Sequence, residues 1–143
     1  MSGQTATIES LLGVKSLGTD TRLALAYSIE AGLPVSALDH LAEAVAPEDT
    51  RFKFRLIPKA TLERRRRSKQ RLTTEEGDRL ARIAKVYAVA LDIYHDPAKV
   101  RDFLRRPHMM LDNKPPLDVA LATGPGADAV INVLGRAAYS GGV

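Results

Sequence analysis

The sequence predicts an all-α chain: an N-terminal helix-turn-helix unit followed by a small, second helical domain. Apolar residues recur at helical spacing in one segment after another. The apolar share is 45%, with 5% aromatic and no Trp, so the core is built from Leu, Ala, Val and Ile rather than the β-branched and aromatic mixture that strands favour. Prolines and glycines fall between the periodic segments, where they open and close helices. A chain of 143 residues makes one domain of ordinary size or two very small ones.

A first helix reads from Asp20 to Ala31, with Leu23, Ala26, Tyr27 and Glu30 at helical spacing and Gly32 and Pro34 stopping it. A second runs from Ser36 to Val45, with Leu38, Leu41, Ala42 and Val45 on one face. Pro47 opens a third, to Leu56, in which Phe52 and Leu56 turn inward, and Pro58 opens a fourth, 58–69, so the chain breaks at Ile57. Two short helices across a tight break are the layout of a helix-turn-helix. Thr73 and Glu76 form a capping box for the next helix, to Tyr94. Its apolar residues (Leu80, Ile83, Ala84, Val86, Tyr87, Val89, Ala90, Leu91 and Ile93) cover most of its girth, as in a helix buried between layers or in a dimer interface. Asp96-Pro97 starts a helix to Arg105, and Pro107, Pro115 and Pro116 frame a loop and a short helix to Ala122. After Gly124-Pro125-Gly126 comes a last amphipathic helix through Ala127, Val130, Ile131, Leu134 and Ala138, and Tyr139 to Val143 read as a flexible end. The domains divide as 1–71 and 72–143.

Charge is unevenly spread. Residues 1–50 sum to −5, residues 51–71 to +9 and residues 72–143 to zero, so the whole excess of +4 sits in 21 residues. Such a cluster calls for an anionic partner or a solvated face. Four successive arginines, Arg64 to Arg67, sweep about 300° of a helix and cannot all meet one surface. With Leu62 facing the core, Arg64, Arg67 and Arg71 point outward, Thr61 and Ser68 flank them, and Arg66 tilts back towards an internal ion pair. Behind a helix-turn-helix break this pattern points to DNA, since an arginine reads guanine or holds phosphate.

Other chemistries find little support. Without cysteine there is neither disulfide nor thiolate, which suits a reducing cytosol. The start of the chain lacks the basic and apolar regions of a secretory signal, and no apolar run is long enough to span a membrane. His40, His95 and His108 are scattered, so no metal site is expected. Gly124-Pro125-Gly126 lacks the GK[ST] of a phosphate loop. Met109-Met110 reads as core filler or a partner contact. Nothing assembles a nucleophile, a base and an oxyanion donor, so no catalytic residue, cofactor or small-molecule substrate is expected.

Taken in order, IPKATLERRRR (57–67), LTTEEGDRLARIAKVYAVA (72–90), DPAKVRDFLRRPHMML (96–111) and PPLDVALATGPGADAVINVLGRAAY (115–139) resemble the Xre/MbcA/ParS-type antitoxins over residues 32–143. The resemblance implies a cytoplasmic, non-enzymatic antitoxin with an Xre-like helix-turn-helix and a C-terminal toxin-binding domain. It implies a RES-domain toxin acting on NAD as partner, operator DNA of its own operon, and a homodimer. Thr61, Arg64 and Arg65 match the family's recognition-helix element, which with Lys59, Arg67 and Arg71 makes the expected DNA-binding set. Leu104, Pro107, Leu111, Pro116 and Leu117 match the frame of the toxin-binding domain, and Gly126 and Leu134 its last helix. Arg136, Tyr139, Ser140, Gly141, Gly142 and Val143 match the segment that approaches the toxin. Phe103-Leu104 stands where the family often has Trp-Leu, and Pro107-His108 where it has Pro-Asn. A stand-alone DNA-binding regulator whose C-terminal half only dimerises is the competing expectation; an adjacent toxin gene separates the two.

Overall fold

Among the described residues, 8–14 and 21–140, the computed structural model holds nine α-helices and one short 3₁₀-helix, and no strand. They fall into two compact units, Thr7–Ala81 and a second containing Arg82–Val143.

The first unit begins with α1 (Ile8–Leu11), a single turn too short to show a period. It packs on α3, and Leu11 and Leu12 are buried. Then α2 (Thr21–Ala31) ends at Gly32, whose φ of 103° only glycine adopts without strain. Asp20, the expected start of this helix, lies outside the described residues. Helical spacing on α2 does not mark a core stripe: Ile29 is buried, while Leu23 and Tyr27 are exposed. Helix α3 (Ser36–Val45) buries Ala37, Leu38, Leu41 and Val45, as its periodicity requires. Helix α4 (Phe52–Leu56) starts five residues later than Pro47 suggests. Asp49 accepts a hydrogen bond from the Arg51 amide at 2.9 Å, folding residues 49–51 into a turn of the kind Asp favours. Helix α5 is Lys59–Arg67.

The longest helix, α6 (Thr74–Tyr94), passes from one unit to the other. Its first two turns belong with the helix-turn-helix: Leu80 is fully buried, and a Cβ at Gly77 would press on Ile29 and Leu33 at 3.3–3.4 Å. The compact units divide after Ala81.

In the second unit α6 continues with Ile83, Ala84, Val86, Tyr87 and Ala90 buried. Asp96 caps α7 (Pro97–Arg105) through the Ala98 amide. After the 3₁₀-helix Met109–Leu111, α8 (Pro116–Ala122) and α9 (Gly124–Ser140) pack closely on each other. Leu104, Leu111, Pro116, Leu117 and Leu134 are buried, while Pro107 is exposed. The Thr123 hydroxyl accepts from the Gly126 amide at 2.9 Å, so the Gly-Pro-Gly segment is the capped start of α9. Tyr139 and Ser140 are the last residues of α9, not a free end.

Candidate nucleic-acid interface and partner-binding end

Between α4 and α5 the break is two residues long. Ile57 is extended (φ −136°, ψ 123°), the conformation a following proline imposes, and it is fully buried. Pro58 (φ −54°, ψ 146°) precedes the first turn of α5. Arg79 of α6 donates to the Leu56 carbonyl at 2.7 Å, satisfying an acceptor that the end of α4 leaves open.

Leu62 anchors α5 to the core, and the four arginines then take different partners. Arg65 turns inward. Its Nε lies 2.9 Å from Glu76 Oε1, its Nη2 donates to Oε2 at 3.0 Å, and the two side chains are 14% and 12% exposed. The same carboxylate accepts from the Thr73 amide at 2.9 Å, while the Glu76 amide donates to the Thr73 hydroxyl at 3.1 Å. The expected capping box is thus present, and its Glu also holds α5. Burial opposes the Glu76 charge, but hydrogen bonds from Arg65 and Thr73, with the Arg65 charge, outweigh it and hold the carboxyl below its ordinary pKa. Arg66 donates from Nη2 to both oxygens of Asp39 on α3, at 2.9 and 3.2 Å, in a partly exposed pair. This is the internal pairing its position predicts.

Arg64 and Arg67 are exposed, and among the described residues neither side chain has an ion-pair or hydrogen-bond partner. Lys59 is exposed, with its Nζ 6.0 Å from the centre of the Phe54 ring, and Thr61 is half-buried on the same helix. The helix ends at Arg67, two residues earlier than expected. Lys69 is left-handed (φ 55°), its amide donates to Arg66 O, and the Gln70 amide donates to Arg65 O at 2.9 Å. This is a Schellman closure. Arg71 consequently lies off the helix, donating from Nη1 to the Gly32 carbonyl at 3.0 Å. Of the six residues expected to meet DNA, Lys59, Thr61, Arg64 and Arg67 share α5 without internal ion pairs, whereas Arg65 and Arg71 are committed to internal acceptors. Sequence reasoning missed what Glu76 and Arg79 do for this surface. Local spacing accounts for the capping box and for the Glu75–Arg79 pair at 3.7 Å, but contacts reaching back eleven and twenty-three residues leave no periodic signal.

At the other end of the chain Arg136 is exposed on α9. Tyr139 and Ser140 close that helix, and Gly141, Gly142 and Val143 lie outside the described residues. Among the described residues no three His, Asp or Glu side chains converge as a metal site. No helix among them is long and apolar enough to cross a membrane.

Two family models match the chain in tandem. The antitoxin Xre-like helix-turn-helix domain covers residues 24–85, and the antitoxin Xre/MbcA/ParS C-terminal toxin-binding domain covers residues 89–139. The chain is also 33% identical over 115 residues to antitoxin Xre of Yersinia enterocolitica (serotype O:8 / biotype 1B), an alignment spanning 78% of this chain and 76% of that protein.

Proposed function

The chain belongs to the Xre/MbcA/ParS antitoxin family, and we propose that it neutralises a RES-domain, NAD-consuming toxin and represses its own operon from the cytoplasm as a homodimer. In this reading α5 enters the major groove. Arg64 and Arg67 contact bases or phosphates, Lys59 and Thr61 support them, and Arg65, through Glu76, fixes the helix. The C-terminal end, from Arg136 through Tyr139 and Ser140 to Gly141, Gly142 and Val143, reaches the toxin's active-site cleft. One observation carries the proposal: the fold pairs Arg65 and Arg66 internally and leaves Arg64 and Arg67 outward on the second helix of a helix-turn-helix. The match of residues 89–139 to a toxin-binding domain supports the second role. The apolar girth of α6 supports dimerisation, with Val89 and Ile93 half-buried.

Co-expression with the adjacent gene, followed by co-purification and a shift assay on the promoter fragment, tests both roles. The expected result is a stable complex and a salt-dependent shift. Replacing Arg64 and Arg67 with Ala should cost roughly 1–3 kcal/mol each if they read bases, and should flatten the salt dependence if they hold phosphates. An undiminished shift by the double variant refutes the DNA assignment, and a neighbouring product that does not co-purify refutes the toxin assignment.

A further inference from the structure

The loop between α7 and α8 holds two large apolar side chains in solvent: Met109 is 82% exposed and Met110 52%. The loop is held firmly from within. His108 Nδ1 accepts from the Met110 amide at 3.1 Å, and its ring meets the edge of Phe103 at a centroid distance of 6.1 Å. His108 and Lys114 form an antiparallel bridge, with the His108 amide donating to Lys114 O at 3.1 Å. Asp112 and Asn113 are both left-handed (φ 61° and 60°) and turn the chain back, and Leu111 is buried, with the 3₁₀-helix packed on α9. A backbone fixed by so many bonds has little ordering entropy to lose on binding. Exposed methionines adapt to irregular apolar recesses and are favoured at binding surfaces.

We propose that Met109 and Met110 form a pre-organised apolar knob that seats in a recess of the toxin, a contact separate from the one made by the C-terminal end of α9. It rests on the toxin-binding role proposed above. The occupant is argued from place and charge. The knob lies inside residues 89–139, the part matched by the toxin-binding domain. Residues 105–114 carry Arg105, Arg106 and Lys114 against Asp112. Arg106 is compensated by Asp102 at 2.9 Å, which leaves the exposed Arg105 and Lys114 against Asp112 and gives the segment around the knob a small excess of positive charge. Two copies meeting knob to knob would oppose those cations, whereas an acid-rimmed recess would complement them.

The complex with the adjacent gene product, purified intact, provides the probe. With both methionines replaced (M109D/M110D), the affinity for that protein should fall about tenfold or more, with the promoter shift and thermal midpoint unchanged, and M109L/M110L should restore it. In the wild-type complex, limited hydrogen peroxide should convert Met109 to its sulfoxide markedly more slowly than in the free antitoxin. Equal affinity of the Asp variant, or equal oxidation of Met109 free and bound, overturns the knob while leaving the toxin reading intact. Slow oxidation already in the free antitoxin assigns the surface to a second copy and also overturns it. Failure of the wild type to bind the gene product overturns the parent reading instead.

Discussion

At the scale of single residues, exposure decides what each arginine of α5 is worth. Arg66 and Asp39 are 44% and 42% exposed, and such a pair contributes about 0–1 kcal/mol. Arg65 and Glu76 are mostly out of water, so removing one leaves the other charge poorly compensated, at about 3 kcal/mol. Glu76→Ala also loses half of a capping box, about 1 kcal/mol more. Glu76→Ala should therefore lower the melting temperature clearly and Asp39→Ala only slightly, as calorimetry can measure. The pair also sets an acid limit. Because the folded state holds Glu76 below its ordinary value, the unfolded chain binds this proton more readily. Its stabilisation is complete above the ordinary Glu pKa of about 4.3 and is lost as pH falls through the lower folded value. Acid unfolding curves for wild type and Glu76→Gln should converge below that range. A constant gap down to the lowest pH would show that Glu76 stabilises by packing alone.

At the scale of the element, two glycines of α9 should answer the same substitution with opposite signs. A Cβ on Gly126 would run into the Val119 carbonyl oxygen and crowd the Thr123 hydroxyl, backbone and cap that cannot move aside. Gly126→Ala should cost about 1–3 kcal/mol by overpacking. Around Gly135 no described residue, its chain neighbours and the helix's own backbone aside, lies within 4 Å of the added carbon, so Gly135→Ala should stabilise by about 0.5–1 kcal/mol through helix propensity. Chemical denaturation of both variants checks this, and a destabilised Gly135→Ala would contradict the open surroundings of that position. Elements that open at proline or at a cap are the ones legible in the sequence: α6, α7 and α8 have the ends their punctuation predicts, because those signals act within one turn. Less legible were the start of α4, where Asp49 makes a local turn in place of a helix, and α1, which is too short to show a period. Helical spacing on α2 revealed the helix but not its buried side, since Leu23 and Tyr27 share that spacing and remain in water. The site was legible in the same measure: the break at Ile57-Pro58 and the inward turn of Arg66 are local geometry, whereas the diversion of Arg65 and Arg71 to Glu76 and Gly32 depends on tertiary contacts.

At the scale of the whole molecule, the charge is concentrated where DNA is proposed to bind, and the segment proposed to enter the toxin lies at the far end of the sequence in the other compact unit. If the two roles are housed separately, removing one should spare the other, and deletion of residues 139–143 is the sharpest way to ask. The deletion takes only the last two residues of α9 and the three beyond it. It leaves Val130, Val133 and Leu134, which bury the helix, untouched. The truncated protein should thus unfold within a few degrees of the wild type and shift its promoter equally well. Tyr139 begins where α9 still has helical backbone, so the helix can present it with less ordering cost than a free tail would incur, and the two glycines beyond let backbone approach a cleft closely. Losing these residues should weaken association with the toxin and abolish protection of cells expressing it, with DNA binding intact. Full protection by the truncated form would move the blocking surface onto the body of the domain, and a lost promoter shift would mean that the two roles are not separable.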